Sequence, residues 1–79
     1  MAVTVRLFAA ARAAAGVTQA QVEAGTLGQV LNRLVGEFPK LSEVLPKCSF
    51  LVDEIACNGK AAIISEGSTL DVLPPFAGG

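Results

Sequence analysis

The sequence predicts a small α+β domain, in which one main helix packs on a mixed sheet of four to five strands. The chain has 79 residues, 52% of them hydrophobic, so it is long enough for one domain and has ample side chains for a core. A segment with helical periodicity lies between segments that alternate with a period of two residues. One helix over one face of a mostly antiparallel sheet is the two-layer arrangement that buries both.

Two strands and a short connector are expected at the start of the chain. Residues 3–8 alternate between two faces, with three aliphatic side chains on one of them, which predicts a half-buried strand. Residues 9–15 are Ala-rich and favour a helix, but the stretch is short for a helix that forms independently. We therefore expect a single turn or compact connector that ends at Gly16. Residues 17–24 alternate weakly and are a candidate return strand, which Gly25 interrupts.

The main helix is expected to begin after Thr26. Thr26 and Gln29 have the spacing of a capping box, in which each side chain accepts a hydrogen bond from the other residue's backbone N–H. Pro39 ends the helix, because the residue before a proline is disfavoured in the helical conformation. An apolar stripe at helical spacing is expected to face the sheet; it consists of Leu27, Val30, Leu31, Leu34, Val35 and Phe38.

Short strands and turns are expected in the second half of the chain. Two pairs that end in Gly mark turns, because Gly adopts backbone angles that other residues avoid. Leu70 and Val72 are expected to face the core from the last strand. The expected order is an irregular helical turn at 41–48, strands at 49–52 and 54–57, a turn at Asn58-Gly59, an apolar connector at 60–64, a turn at Glu66-Gly67 and a strand at 69–73.

Composition argues against several functional classes. Six basic and seven acidic residues give a net charge of −1 without a basic stripe, so we expect no nucleic-acid binding. No apolar run approaches the ~20 residues that a membrane helix needs, and no leader pattern precedes the first strand, so a cytoplasmic location is expected. The chain has no His, the commonest general base and metal ligand, so neither a metal site nor a self-contained enzyme is expected.

The two cysteines do not indicate a functional site. Cys48 and Cys57 are too few and too irregularly placed for a disulfide framework or a zinc site. Both lie in apolar stretches, where a buried, unreactive thiol is the commoner role. The sequence therefore favours a structural role for both over a reactive thiol.

A double proline divides the chain into a domain at residues 1–73 and an extended tail at residues 74–79. Pro74 and Pro75 lack two backbone donors and have fixed φ angles, so they cannot continue a central strand. They hold the chain extended just beyond the last strand. The tail is therefore expected to leave the domain as a stiff segment.

The tip of the tail is the candidate functional site. Phe76 is expected to anchor in a pocket of a partner, as aromatic side chains often do at interfaces. Ala77, Gly78 and Gly79 follow it, and glycine without a Cβ lets another surface approach closely. The last group is the Gly79 carboxylate, which is a poor electrophile until one of its oxygens becomes a leaving group. Such an end suits activation by another protein.

The chain resembles the small, ubiquitin-like subunit of molybdopterin synthase, within the β-grasp sulfur-carrier group (the MoaD/ThiS superfamily). The resemblance runs over the whole length and includes the helix after Thr26. Its most specific part is the double proline followed, after two residues, by the terminal diglycine. The matching segments are Leu7-Phe8-Ala9-Ala10-Ala11-Arg12, Glu66-Gly67-Ser68-Thr69-Leu70-Asp71-Val72 and Pro74-Pro75-Phe76-Ala77-Gly78-Gly79.

The resemblance implies a ubiquitin-like β-grasp fold and a carrier function. An E1-like adenylyltransferase would use ATP to adenylate the Gly79 carboxylate, and a sulfur donor would convert it to a thiocarboxylate, a C-terminal 1-thioglycine. The tail would then donate sulfur to cyclic pyranopterin monophosphate in the large synthase subunit, forming the molybdopterin dithiolene. The implied assembly is a heterotetramer with that subunit. The chain itself would bind no cofactor and would not be a catalyst alone.

Three alternatives stay open at this point. The sulfur could go to another acceptor, such as a thiazole in thiamine synthesis, a cysteine precursor or a tRNA. The chain could instead be a ubiquitin-like modifier that is conjugated to lysines through Gly79, since that reaction begins with the same adenylation. It could also be a plain interaction module with an incidental tail.

Overall fold

The computed structural model describes residues 2–75, which form a mixed five-stranded sheet with helices on one face. The strands are β1 (Ala2–Leu7), β2 (Gln19–Glu23), β3 (Gly25–Thr26), β4 (Ser49–Val52), β5 (Ile55–Ala56), β6 (Ile63–Ile64) and β7 (Thr69–Leu73). The helices are α1 (Ala9–Ala15), α2 (Leu27–Glu37) and two 3₁₀ helices, Pro39–Glu43 and Leu45–Lys47. The predicted fold class, a mixed sheet with one main helix, is confirmed.

The last strand in the sequence lies in the middle of the sheet. The strand order is β2-β1-β7-β4-β5, and β3 pairs with β6 in a separate two-stranded ribbon. β7 runs parallel to β1, with Val5 opposite Leu70, and antiparallel to β4, with Phe50 opposite Val72. The segment after β7 therefore leaves from the centre of the sheet. The last residues of β7 are held there by pairing with β1 on one side and β4 on the other.

The core lies between one face of the sheet and α2. On the opposite face Arg6 and the polar side chains of β2 are exposed, which shows that the helices cover only one side of the sheet. The sheet residues predicted to face inward are buried, as are most of the apolar stripe on α2 and one leucine of each 3₁₀ helix. These residues are Val3, Val5, Leu7, Leu70, Val72, Leu27, Val30, Leu31, Leu34, Leu41 and Leu45.

The N-terminus of α2 has the predicted capping box. The Thr26 hydroxyl accepts a hydrogen bond from the Gln29 N–H at 3.1 Å, and the Gln29 side-chain oxygen accepts one from the Thr26 N–H at 2.9 Å. The helix ends at Glu37, and Phe38 forms its C-cap directly before Pro39. Both ends of the main helix were therefore correctly predicted, because each depends on local chemistry.

Gly36→Ala is expected to stabilise the domain by about 0.5–1 kcal/mol, because alanine restricts the unfolded chain and favours a helix. Gly36 is exposed in the last turn of α2, and a Cβ there would meet nothing within 4 Å. Gly16→Ala is the matched control: its Cβ would also lie in open space, but its φ of +80° strains alanine, so it should destabilise. Guanidinium unfolding measures both, and effects of the same sign would contradict the expectation.

Residues 9–15 form a complete short helix, where only a turn or connector was predicted. The strand before them ends at Leu7, and Phe8 is the N-cap of α1 rather than the last strand residue. Gly16 closes the helix with a φ of 80° and donates its N–H to the Arg12 carbonyl. Ala11 is fully buried in the core. This tertiary contact stabilises a helix that would not form by itself.

The prediction of a connector at residues 60–64 was wrong at its end. Ile63 and Ile64 form β6, which pairs with Gly25–Thr26 in β3. Gly25 is therefore part of a strand and not simply a break. A Cβ at this position would lie 2.5 Å from Gln29 Oε1 and 2.8 Å from Arg33 Nη1. A side chain there would require the ends of two α2 side chains to shift, and one of them, Gln29 Oε1, accepts a hydrogen bond of the capping box.

A two-residue turn joins β4 to β5, so that β5 is shorter than the predicted strand at 54–57. Val52 pairs with Ile55, which leaves Asp53 and Glu54 as the turn, with φ angles of 49° and 72°. Positive φ at both central residues is typical of the hairpin turn whose twist matches the strands. Glu54 therefore belongs to the turn and not to the strand.

The two turns predicted from Gly pairs differ in outcome. The turn at Glu66-Gly67 is present, with Gly67 at a φ of 86°. Near Asn58-Gly59 the hydrogen-bonded turn instead begins at Gly59, whose carbonyl accepts a hydrogen bond from the Ala62 N–H at 3.2 Å. The turn predicted at Asn58-Gly59 therefore lies farther along the chain, at residues 59–62, directly before β6.

Candidate functional site

The central strand carries the chain to the point where the predicted tail begins. Val72 is buried in the core, and Leu73 still pairs with Ser49 of β4. Leu73 and Pro74 are half-buried, whereas Pro75 is exposed. Because proline has no N–H to donate to a neighbouring strand, sheet pairing ends at Leu73. The emerging chain is thus fixed by a buried strand immediately before Pro74.

The structure describes two of the six predicted site residues, Pro74 and Pro75. Phe76 lies outside the described residues, and so does the tip from Ala77 to Gly79. The anchoring role of Phe76 and the activation of the Gly79 carboxylate therefore stay predictions. The described residues contribute the base from which the tail starts.

A bidentate ion pair joins β7 to β1 just before the chain leaves the sheet. Arg6 donates from Nε to Asp71 Oδ1 at 2.6 Å and from Nη2 to Asp71 Oδ2 at 2.8 Å. The two residues lie directly opposite one another in the parallel register. Asp71 is only 6% exposed and is the one buried charged residue between residues 2 and 75. A buried carboxylate requires such a partner.

The surroundings of Arg6 keep its cation on this face of the sheet. Hydrogen bonding by Asp71, together with its charge, raises the pKa of the Arg6 guanidinium. The Phe8 ring lies 5.8 Å from the guanidinium carbon, within the range of a cation–π contact. The Arg6 guanidinium is thus held between the Asp71 carboxylate on the neighbouring strand and the ring of Phe8, which directly follows β1.

The ion pair was not predicted from the sequence. Arg6 lies between two core residues of the first strand and Asp71 between two core residues of the last, so alternation alone places both on the outer face. The signal available was one isolated charge on the outer face of each strand. It becomes a pair only once the strands are known to be parallel neighbours.

A polar groove of about 340 Å³ opens beside the ion pair on the outer face of the sheet. The Asp53 carboxylate at its border accepts a hydrogen bond from the Thr69 N–H at 2.9 Å, which ties the β4–β5 turn to the start of β7. The groove offers no cysteine nucleophile and is lined by Thr4, Arg6, Asp53, Glu54, Thr69 and Asp71.

Residues 2–75 contain no group of three His, Cys, Asp or Glu side chains placed to hold a metal ion. Over the same range, no helix has both the length and the apolar character needed to cross a bilayer.

Cys48 and Cys57 are half-buried and lie against the core, where full burial was expected. The Cys48 Sγ donates a hydrogen bond to the Val44 carbonyl at 3.3 Å. Burial raises the pKa of the Cys48 thiol. Because the thiolate is the reactive form, this environment favours the unreactive role predicted for Cys48.

Cys48 is expected to react with iodoacetamide several-fold more slowly than free cysteine at about pH 8, because a raised pKa leaves less thiolate near the usual value of ~8.5. Its rate should also rise toward higher pH than that of free cysteine. A mass-spectrometric time course over a pH series measures both, and Cys48→Ser identifies the signal from Cys57. Labelling of Cys48 as fast as free cysteine at every pH would contradict the expectation.

The family to which the chain belongs follows from a match over nearly its whole length. The model of the ThiS family matches residues 5–79, from within β1 to the last glycine. The chain belongs to the ThiS family. The predicted membership of the MoaD/ThiS group of ubiquitin-like sulfur carriers is thereby confirmed. This ThiS family member is a small carrier domain, of a class that is generally non-catalytic.

Solved structures with the same fold include members of several systems. SAMP1 from Haloferax volcanii is 27% identical over the whole of both chains, with a TM-score of 0.88. A chain of the complex of subunits 1 and 2 of the molybdopterin-converting factor from Helicobacter pylori is 24% identical over the whole of both chains, with a TM-score of 0.73. A chain of the Amycolatopsis orientalis BexX/CysO complex is 19% identical, with 98% of this chain and 99% of that chain covered and a TM-score of 0.83. These similarities confirm the predicted ubiquitin-like β-grasp fold.

Proposed function

We propose that this ThiS family member is the sulfur-carrier subunit of molybdopterin synthase and that the Gly79 carboxylate is its working group. The proposal rests on one observation: the central strand of the sheet stops at Leu73 and is followed by Pro-Pro-Phe-Ala-Gly-Gly. Family membership supports the carrier function. The choice of pathway is supported by the resemblance of this ending to that of the molybdopterin synthase small subunit.

Activation of the Gly79 carboxylate is proposed to occur on partner proteins. An E1-like adenylyltransferase binds ATP and transfers AMP to a carboxylate oxygen, with release of pyrophosphate. A sulfur donor then supplies sulfur to the carbonyl carbon as AMP leaves, which produces a C-terminal thiocarboxylate, 1-thioglycine. The adenylation must come first, because a carboxylate oxygen leaves readily only after it has been joined to phosphate. This chain binds no cofactor in the scheme.

The tail residues present the carboxylate to these partners. Pro74 and Pro75 keep the chain extended beyond the sheet, and Phe76 anchors it in a partner pocket. Ala77 and Gly78 keep the approach to the reacting carbon narrow, since small side chains let a channel close around the backbone. The general acids and bases and the groups that bind phosphate are supplied by the partners.

Sulfur transfer is proposed to take place in the large subunit of the synthase. The thiocarboxylate gives its sulfur to cyclic pyranopterin monophosphate, and two rounds build the dithiolene of molybdopterin. The assembly in this scheme is a cytoplasmic heterotetramer of two small and two large subunits. The small subunit is a carrier substrate within it and not a catalyst alone.

Intact-mass spectrometry tests the activation step directly. The protein is incubated with the activating enzyme of the same organism, ATP and a sulfur source. The expected result is a mass gain equal to the difference between a sulfur and an oxygen atom, which is absent when ATP is omitted. An unchanged mass with an enzyme that activates its own known carrier would count against the proposal.

One comparison favours a second candidate function, a ubiquitin-like protein modifier. The chain is 27% identical over its whole length to SAMP1, a small archaeal modifier protein. The two functions share the adenylation step and differ in the acceptor. The thiocarboxylate is therefore offered cyclic pyranopterin monophosphate with the large synthase subunit, and in parallel a cell extract. Formation of the dithiolene supports the function as synthase subunit. Lysine conjugates that require Gly79 support the function as modifier. Transfer of sulfur to a thiazole, a cysteine precursor or a tRNA supports another sulfur-carrier pathway.

A further inference from the structure

The Arg6–Asp71 ion pair distinguishes one register of β7 against β1 from the others. Arg6 faces Asp71 across the parallel ladder, and the outer-face neighbours of Asp71 along β7 are Thr69 and Leu73. A displacement of β7 by two residues would keep every side chain on its own face. It would place Arg6 opposite Thr69 or Leu73, and it would leave the Asp71 carboxylate without its cation.

The core face of the same two strands distinguishes these registers only in part. β1 presents Val3, Val5 and Leu7 to the core, and β7 presents Leu70 and Val72. A displacement by two residues would keep one aliphatic pair, Leu7 with Leu70 or Val5 with Val72, and would bring Ser68 or Pro74 opposite the other core residue of β1. Hydrophobic burial therefore specifies the face of β7 and contributes only part of the specification of its position along β1.

We propose that the Arg6–Asp71 pair fixes the register of β7 and thereby sets the point from which the tail leaves the sheet, so that both are positioning residues for activation of Gly79. This inference rests on the proposed carrier function. A two-residue displacement would move the exit point by about 6.6 Å. The tail from Pro74 to Gly79 spans at most about 20 Å when fully extended. The displacement is therefore about a third of the tail's full reach.

The Asp71 end of this pair is buried, whereas the Arg6 side chain is 47% exposed, and specification of register is the best-attested structural use of a buried ionic group. Another side-chain hydrogen bond to β7 lies on its other side, where the Asp53 carboxylate accepts one from the Thr69 N–H. That bond holds the start of β7 to the β4–β5 turn and makes no contact with β1. The Arg6–Asp71 pair is thus a side-chain hydrogen-bonded contact that joins β7 to its parallel neighbour, close to the exit of the tail.

The test replaces the pair in two ways and reads both register and activation. Arg6→Leu with Asp71→Leu removes the charges but keeps apolar bulk, whereas Arg6→Asp with Asp71→Arg restores an ion pair with reversed polarity. Glu54→Gln is the matched control. It removes a carboxylate from the same groove, and this carboxylate takes no part in the hydrogen bonds of Arg6. Cross-strand NMR contacts between positions 6 and 71 report the register, and the activating enzyme reports kcat and KM for adenylation.

The apolar variant is expected to show a second set of contacts, from position 6 to position 69 or 73. Its kcat/KM for adenylation should fall at least about 10-fold, because a misplaced reacting group of even ~1 Å can cost on the order of 10² in rate. The swapped pair should restore the 6–71 contact and most of the activity, and Glu54→Gln should leave both unchanged. If the apolar variant does not fold, Asp71→Asn replaces it and is expected to show the same mixture of registers.

Two outcomes would overturn the proposal. One is a single native register with wild-type adenylation in the apolar variant. The other is a native register with lost adenylation in the swapped variant, which would make the pair a direct contact with the enzyme. If the wild-type chain were not adenylated at all, the carrier function would fail, while the NMR contacts would still decide whether the pair sets the register.

Discussion

Deletion of Gly79 is expected to abolish thiocarboxylation and to leave the fold of the domain unchanged. The deletion moves the terminal carboxylate back along the tail by about 3.3–3.6 Å, the length of one extended residue. Since a misplacement of ~1 Å can reduce a rate by on the order of 10², activation should fall by more than that factor. The buried part of β7 ends at Val72, well before the deleted residue, so the free energy of unfolding should not change.

Intact-mass spectrometry after incubation with the activating enzyme, ATP and a sulfur source measures the effect, and guanidinium unfolding checks the fold. Gly79→Ala is a control that keeps the length of the tail and adds only a Cβ. Comparison of the two variants distinguishes the effect of tail length from the effect of tail width. A smaller loss of thiocarboxylation is expected for Gly79→Ala than for the deletion. Gly36→Ala, on the exposed surface of α2, should retain full activation. Full thiocarboxylation of the shortened chain would refute the carrier proposal.

The elements that the sequence predicted well are those specified by local chemistry or by long periodic runs. The capping box at Thr26 and Gln29 and the proline after Phe38 define both ends of α2. Alternation identified the buried faces of β1 and β7. Each of these signals is complete within a short stretch of chain, so no knowledge of the sheet order is needed to recognise it.

The elements that it missed depend on contacts between distant residues. β3 and β6 are two residues long, which is too short for any periodicity, and each exists because the other pairs with it. α1 is stabilised by burial of Ala11 against the core. Tertiary contacts therefore override the weak local propensity in these segments.

The candidate site divides in the same way. The tail is predicted from composition alone, because proline and glycine have conformational properties that do not depend on the rest of the fold, and beyond Pro75 it stays a prediction. Arg6 and Asp71 are 65 positions apart, and neither residue is unusual where it stands. Their pairing follows from the parallel neighbourhood of β1 and β7, which is a property of the sheet order and not of either strand.

The second large effect is expected in the core beneath α2. Leu34 is completely buried and lies on the face of α2 that packs on the sheet. Leu34→Ala is expected to cost about 2–5 kcal/mol, because the removed methyl groups lose their burial and leave a cavity that the neighbours fill only in part. Domains have total stabilities of only about 5–15 kcal/mol. The variant should therefore unfold at a much lower guanidinium concentration.

Val35→Ala is the matched control, because Val35 is the next residue of the same helix and is only half-buried. It should cost less than half as much, and equal costs for the two variants would contradict the packing described for α2.

The Leu34→Ala variant also separates folding from function. If the domain serves to hold β7 while the chemistry takes place at the tail, thiocarboxylation per folded molecule should equal that of the wild type, even though fewer molecules are folded. A fall in activation beyond the loss of folded protein would mean that the packing beneath α2 itself positions the tail, and that the buried strand alone does not suffice to hold it.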